Sequence, residues 1–350
     1  MKYFDKEKLK VFTSEICVAC GLTKEAGDAV GEVLVETDMT GVHSHGLYAL
    51  SAYVEKLEAN GIDLKAKPEI AAEGPAWAII DGKNAMPQYV GCFGLEMGIK
   101  KAREAGVAYI GMKNSGHYGA PGYYARMAAE AGMVAIACSN CPKNSTVPGT
   151  RGETFGNNPF SFAAPRKGHH PIITDMSSST VAGTKIKRWV DAGNKTIPEG
   201  WVVDEKGLPS TDASLYPKLF MSYFSGHKGY CLAMFVEIIS AILSGGALIN
   251  ETNVWRVPEA LASTSHALIL IDTKILGEDF FAEQMDRTAD DLLNAPKAEG
   301  TERIFMPGDM EWDHFDEMCE KGLDLPEDIE ADLAALGEKF GLNLYDCCIN

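Results

Sequence analysis

From residue 77 to residue 272 the chain alternates short apolar runs with longer stretches whose apolar side chains recur at helical spacing. The runs cover 77–81, 107–112, 133–138, 172–175, 201–204 and 267–272. A strand that is apolar along its length needs cover on both faces, which a sheet flanked by helices supplies. Stretches 88–104, 120–131 and 227–244 have the length and spacing to be those helices. An α/β centre follows.

Both ends of the chain read differently. Residues 5–35 form two helices, with Gly21 ending the first and Thr23 capping a second that turns Ala26, Val30, Val33 and Leu34 inward. A third helix covers about 47–59, and Gly74-Pro75 then breaks the pattern. Beyond about residue 277 the sequence is polar and helical again, ending in an amphipathic helix from near Pro326 that carries Ile329, Leu333, Leu336 and Phe340 on one side. The expected architecture is a discontinuous helical domain, 1–76 with 277–350, packed on an α/β domain of 77–276. A cleft between two such bodies is where small ligands sit.

Composition narrows the choice of partner. Forty-nine acidic against thirty-two basic side chains give a net charge of −17, which repels nucleic acid and anionic membrane surfaces. No apolar run is long enough to cross a bilayer, and the first residues lack a signal-peptide core, so the expected location is cytoplasmic. Nine cysteines, an odd and dilute set, read as reduced thiols. The pairs Cys17/Cys20 and Cys138/Cys141 have zinc-like spacing, but Cys20 shares a helix face with Leu9, Phe12 and Ile16 and reads as packing. An anion could still be met locally by Lys113, Lys143, Arg151, Lys185, Arg188 or Lys228.

Four segments carry side chains suited to chemistry. Residues 37–46, Thr-Asp-Met-Thr-Gly-Val-His-Ser-His-Gly, set His43, Ser44 and His45 on a connection between helices. An imidazole titrates near neutrality, so His45 is the candidate proton donor and acceptor; satisfied loop histidines are the plainer alternative. Ser115 to Tyr124 follows a strand and opens a helix, placing His117 among glycines where a ligand can approach backbone amides. Asp175-Met176-Ser177-Ser178-Ser179-Thr180 leaves another strand with a carboxylate and four hydroxyls, and Asp175 is placed to orient a protonated His45. His227-Lys228-Gly229 sets cations at a helix start. Asn157-Asn158-Pro159 and Pro198 to Trp201 read as turns. None of the 35 glycines forms G-x-G-x-x-G after a strand, which argues against a Rossmann dinucleotide site. A metal-dependent hydrolase with His43, His45, His117 and Asp175 as ligands remains chemically possible, and a serine hydrolase on Ser44 lacks the G-x-S-x-G elbow.

Taken in order, Thr37-Asp38 through Ser44-His45-Gly46, Gly116-His117-Tyr118-Gly119, Gly156-Asn157-Asn158-Pro159, Asp175-Met176-Ser177, Pro198 to Trp201, His227-Lys228-Gly229-Tyr230 and Met306-Pro307-Gly308-Asp309 resemble the type 2 malate/L-lactate dehydrogenase family. The resemblance spans nearly the whole chain. It implies an oxidoreductase that moves a hydride between nicotinamide, NAD or NADP, and a small 2-hydroxy acid, 2-oxo acid or related carbonyl or imine. It also implies a mixed sheet that is not a Rossmann fold, and a homodimer with the site near the subunit boundary. Carried over by motif, His45 is the acid/base with Ser44 beside it, and His117 is a second polar group on the substrate. Thr174, Asp175, Met176, Ser177, His227, Lys228, Pro307, Gly308 and Asp309 fall at cofactor positions. One departure stands out. The family's Ser-His-Gly is usually followed, three residues on, by an arginine resembling a clamp for the substrate carboxylate; here that position is Ala49, with Ala52 at a later basic position. Either another cation replaces it, with Arg188 and Lys143 the candidates, or the substrate differs.

Overall fold

The computed structural model describes residues 2–261, 263–277 and 279–349. The chain begins with β1 (Tyr3–Phe4), α1 (Lys6–Ala19), α2 (Lys24–Asp38) and α3 (Leu50–Glu58). There follow β2 (Glu69–Gly74), β3 (Trp77–Asp81), α4 (Pro87–Ala105), β4 (Val107–Ser115), α5 (Pro121–Glu130), β5 (Met133–Ser139), β6 (Phe160–Ala164) and β7 (Ile172–Met176). A smaller unit holds α6 (Gly183–Asp191), β8 (Val202–Val203), β9 (Pro209–Ser210) and β10 (Phe220–Met221). The chain then runs through α7 (His227–Glu237), β11 (Thr264–Asp272), α8 (Phe280–Leu293), α9 (Asp309–Lys321), β12 (Leu323–Asp324) and α10 (Glu327–Phe340).

Seven strands form the main sheet in the order β2-β3-β4-β11-β5-β6-β7. Only β3 and β4 run parallel; every other neighbouring pair is antiparallel, so the sheet is mixed. Its central strand, β11, arrives late in sequence and inserts between β4 and β5, buried along most of its length. One apolar core lies between the sheet and helices α4 and α5, built from Ile80, Val90, Ile110, Tyr124 and Leu270 among others.

A second core belongs to the helices. Asp5 caps α1 by accepting from Glu7 N and Lys8 N at 2.9 and 3.0 Å, and Thr23 caps α2 through Ala26 N. The two helices approach so closely that a Cβ at Gly31 would overlap the Lys10 carbonyl. Leu9, Ile16, Leu34, Leu50 and Leu57 then share one cluster with Met318, Leu323, Ile329, Leu333 and Leu344 from the other end of the chain. Strand β1 pairs with β12, closing the same contact through backbone bonds. A buried ion pair ties the helices to α5: Glu36 meets Arg126 at 2.7 Å and Lys10 at 2.8 Å. Burial alone would raise the Glu36 carboxyl, but the two cations overcome it and hold it at about 2.

Several elements differ from the sequence reading. The run 201–204 contributes only the two-residue β8 to a separate three-stranded sheet, because its apolar side chains seat in a small satellite core with Val181, Ile186 and Ile197. Strands β2 and β6 and helix α6 lie outside the runs read from the sequence; β2 is exposed at every position before Gly74, and its apolar residues are limited to Ile70, Ala71 and Ala72. Helix α7 ends at Glu237 and continues as a π-helical turn, Ile238–Ile242, where Ser240 Oγ donates back to the Val236 carbonyl at 2.7 Å. Among the described residues, no helix is long and apolar enough to cross a membrane.

Candidate active site

The Ser-His-Gly turn is shaped by one buried carboxylate. Asp38, the last residue of α2 and wholly inaccessible, accepts from His43 Nδ1 at 2.7 Å and from Leu47 N at 2.6 Å. Gly46 passes directly over it, and a Cβ there would overlap the carboxylate, so only glycine allows the approach. Burial pushes the Asp38 carboxyl up, whereas its hydrogen bond to His43 raises that imidazole. Residues His43–His45 are thereby wound into a single 3-10 turn. Ser44 Oγ lies 2.9 Å from His45 Nδ1, which occupies that nitrogen and leaves Nε2 for a ligand.

His117 comes to the same place from the loop between β4 and α5. Its ring stacks on His45 with centroids 5.4 Å apart and on Trp255 with centroids 4.3 Å apart. Tyr53, from α3, places its hydroxyl 2.5 Å from His117 Nδ1. The Arg256 guanidinium lies over the Trp255 ring at 4.6 Å and over the Tyr48 ring at 5.5 Å. Burial, then the charge of Arg256, lowers the His45 pKa; burial, then His45 and Arg256, holds His117 well below its usual value. Both imidazoles nonetheless keep some solvent-accessible surface. Beneath them, fully buried His266 bonds Ser115 and Ser139, stacks on Tyr118 at 3.8 Å and is pushed down to about 3, so it braces the loop as a neutral ring.

A second group of residues meets along β7. Asp175 is also crowded by protein while remaining solvent-exposed, and burial raises its carboxyl to about 6. It accepts from Gly122 N at 2.8 Å, at the first turn of α5, and a Cβ at Gly122 would close to 2.6 Å from the carboxylate. This corrects the expectation that Asp175 orients His45: the carboxylate takes the unpaired amide of a helix start instead. The turn 306–309 runs beside β7, with Ile173 N donating to the Pro307 carbonyl at 3.2 Å and Gly308 at φ 95°. Gly229, in the first turn of α7, packs on the Ser178 carbonyl. Thr174, Asp175, Met176 and Ser177 are thus bordered by His227 and Lys228 on one side and by Pro307 and Gly308 on another. Asp309 turns its carboxylate to Met306 N at 3.0 Å and to Arg303 at 3.2 Å. Among the described residues, neither His227 nor Lys228 has an acidic partner, both are exposed, and α7 has no side-chain cap. An exposed lysine without an acidic partner, set at a helix start, fits an anionic ligand, while the amides of Lys228, Gly229 and Tyr230 are already bonded to the Ser225, Phe224 and Gly226 carbonyls.

Other candidates do not assemble. His43 is turned to Asp38 and meets His314 edge-on at 6.0 Å, and His45 and His117 stack face to face rather than aiming nitrogens at one point. Among the described residues, no three His, Cys, Asp or Glu side chains are arranged to hold a metal, so neither the His43, His45, His117 and Asp175 set nor the paired cysteines form a site. Arg188 faces Asp328 at 3.8 Å, and the cation whose charge reaches His45 and His117 is Arg256. Sequence reading missed Asp38, Tyr53, Trp255 and Arg256. Asp38 stood inside the motif and Tyr53 two helical turns beyond His45, but nothing local marks residues 255 and 256.

Comparisons with known proteins cover nearly the whole chain. The sequence profile described as malate/L-lactate dehydrogenase matches residues 4–334. The malate dehydrogenase of Pyrococcus horikoshii is 31% identical over 346 residues, covering 96% of this chain and 95% of that one. The ureidoglycolate dehydrogenase (NAD(+)) of Escherichia coli K12 is 30% identical over 326 residues, 91% of each chain. Among solved structures, the sulfolactate dehydrogenase of Methanocaldococcus jannaschii superposes with a TM-score of 0.91 at 28% identity over 99% of both chains.

Proposed function

The chain belongs to the malate/L-lactate dehydrogenase family, and from that membership we propose that it transfers a hydride between a nicotinamide cofactor and a small 2-hydroxy acid, its 2-oxo acid or a related imine, with His45 as acid and base. The observation that carries the assignment is the imidazole pair: His45, its Nδ1 held by Ser44, stacked on a His117 whose Nδ1 is held by Tyr53. When bound, the cofactor supplies or accepts the hydride. In the oxidative direction neutral His45 takes the hydroxyl proton at Nε2, and in the reductive direction its protonated form returns one to the carbonyl oxygen or imine nitrogen. A lowered His45 pKa keeps the base form ready at neutral pH. His117 offers its remaining nitrogen to the substrate as a hydrogen-bond partner.

For the cofactor we assign Thr174, Asp175, Met176 and Ser177, with His227, Lys228, Pro307, Gly308 and Asp309 around them. Lys228, exposed and without an acidic partner among the described residues, would meet a phosphate. Lys187 is bonded to Asp191 at 2.5 Å, Arg188 faces Asp328, and Lys185 lies over the Trp201 ring, so each has a partner within the chain. That favours NAD over NADP, in keeping with the relative whose description includes NAD(+). The division into 1–76 with 277–350 and 77–276 is supported by a helical core drawn mostly from the first and a sheet core drawn mostly from the second, with Met86 and Tyr89 joining the helical core and Val33 and Trp312 the sheet core. Exposed Phe235, Ile238, Ile242 and Leu243 along α7 and the turn after it support a homodimer buried on that face. Replacing His45 by alanine tests the mechanism: turnover of the active hydroxy acid, followed by cofactor absorbance, falls by roughly 10²- to 10⁴-fold with cofactor binding retained. Unchanged turnover removes His45 from the reaction.

A further inference from the structure

The segment from Asn253 to Leu261 crosses the candidate site as a loop, yet the protein spends buried polar groups on holding it still. Lys56, on α3 and 3% exposed, donates to the Val257 carbonyl at 3.0 Å and to the Ala260 carbonyl. Gly61 lets the Pro258 carbonyl approach where any side chain would collide. Asn253 closes the base, its side-chain amide donating to the Leu261 carbonyl at 2.9 Å. What this anchoring presents is the Trp255 indole, stacked on His117, and above it the Arg256 guanidinium.

Arg256 has an uncommon set of neighbours. It is exposed, and among the described residues no carboxylate or carbonyl pairs with it; its contacts are the Trp255 and Tyr48 rings. An arginine stacked on aromatic faces is held in orientation while its N–H groups stay free, which is how a bidentate acceptor is met. Trp255 in turn stacks on His117, so the guanidinium sits one ring away from the imidazole pair. The charge is felt there, because it lowers the pKa of both rings. The nearby position 49 offers no cation: Ala49 is a fully buried methyl group in the helical core.

We infer that Arg256 binds the anionic group of the substrate, a carboxylate beside the reacting carbon, and that the anchored loop 253–261 is therefore a specificity element of this site. The identity of the anion as part of a 2-hydroxy or 2-oxo acid rests on the dehydrogenase reading; the anion site itself rests on the geometry of Arg256.

The experiment uses oxamate, a non-reacting analogue of a small 2-oxo acid, titrated calorimetrically into the full-length protein with reduced cofactor present. Wild-type protein binds it, and Arg256→Gln weakens binding by roughly 10- to 100-fold, the loss expected for a charge-assisted hydrogen-bonded pair, while Arg256→Lys recovers part of it. Reduced-cofactor affinity and thermal midpoint stay unchanged in both variants, which separates a binding role from a folding role. With an active hydroxy acid, Arg256→Gln raises KM. Equal oxamate affinity in wild type and Arg256→Gln, or no oxamate binding by the wild type, overturns the inference. If binding depends on Arg256 while malate, lactate, sulfolactate and cyclic imine carboxylates are all left unreacted, the anion site stands and the assignment of the anion to a 2-hydroxy or 2-oxo acid or related imine fails.

Discussion

Asp38 is where a single side chain links stability to the candidate chemistry. Its carboxylate is fully buried and makes two bonds, 2.7 Å to His43 Nδ1 and 2.6 Å to Leu47 N, with Gly46 folded over it. Asp38→Asn keeps the shape and one acceptor for Leu47 N but removes the charge-assisted bond to His43, a loss of about 1.5–3 kcal/mol. Asp38→Ala also strands the Leu47 amide, for a total of about 3–5 kcal/mol. Over 350 residues, an unfolding entropy of about 2.1 cal/mol/K per residue makes each kcal/mol worth roughly 1.4 °C in thermal midpoint. The expected shifts are therefore about 2–4 °C for asparagine and about 4–7 °C for alanine, read by circular dichroism. The pH dependence supplies a sharper check. Because the folded His43 pKa is raised, its extra stabilisation is complete below the unfolded value of about 6.5 and disappears as pH climbs through the folded one. The Asp38→Asn penalty is therefore larger at about pH 6 than at about pH 9. Loosening this turn also displaces His45, lowering kcat/KM by roughly 10- to 100-fold. A penalty that is flat with pH, or a loss of midpoint with full activity, refutes the claim that this carboxylate holds the turn.

Two further outcomes follow from the imidazole pair. Since burial and Arg256 lower the His45 pKa, kcat/KM for oxidation rises as pH passes upward through that lowered value and then levels, while kcat/KM for reduction falls over the same window; initial rates in both directions across the acid to neutral range check this, and a reduction rate independent of pH contradicts His45 as the acid. Tyr53→Phe removes the hydroxyl 2.5 Å from His117 Nδ1, costing about 1 kcal/mol of stability and roughly tenfold in kcat/KM; unchanged kinetics in that variant mean that Tyr53 does not set the His117 orientation.

How much of this was legible in the sequence depends on the range over which each feature is decided. Strands β3, β4, β5, β7 and β11 could be read because they are apolar where the sheet buries them, and that signal is carried by consecutive residues. The run at 201–204 carries the same local signal and seats in a different core, which only tertiary packing decides. Strand β2, with Glu69 and Glu73 on an exposed edge, joins the sheet through backbone bonds to β3 and has no side-chain signature. Sheet order was equally hidden: nothing between residues 264 and 272 states that β11 must separate β4 from β5.

The site divides along the same line, and the division says what kind of residue such readings overlook. His45, Ser44 and His117, which the fold brings together, stand out in the sequence because imidazole, hydroxyl and glycine crowd together in short segments. Asp38 lay within one of those segments, but its role depends on which buried donors lack a partner, and here they were His43 Nδ1 and Leu47 N. Asp175 had been paired in expectation with His45, yet the nearer unmet need was the Gly122 amide. Trp255 and Arg256 are the extreme case, since Lys56 brings them to His117 from a loop some two hundred residues along the chain. A side chain whose work is to occupy a nitrogen, satisfy an amide or carry a charge across a loop is chosen by what the fold leaves unpaired. Ala49 sharpens the point: it is a buried methyl group, and the cation stacked beside the imidazole pair comes instead from a distant loop that leaves no trace in the local sequence.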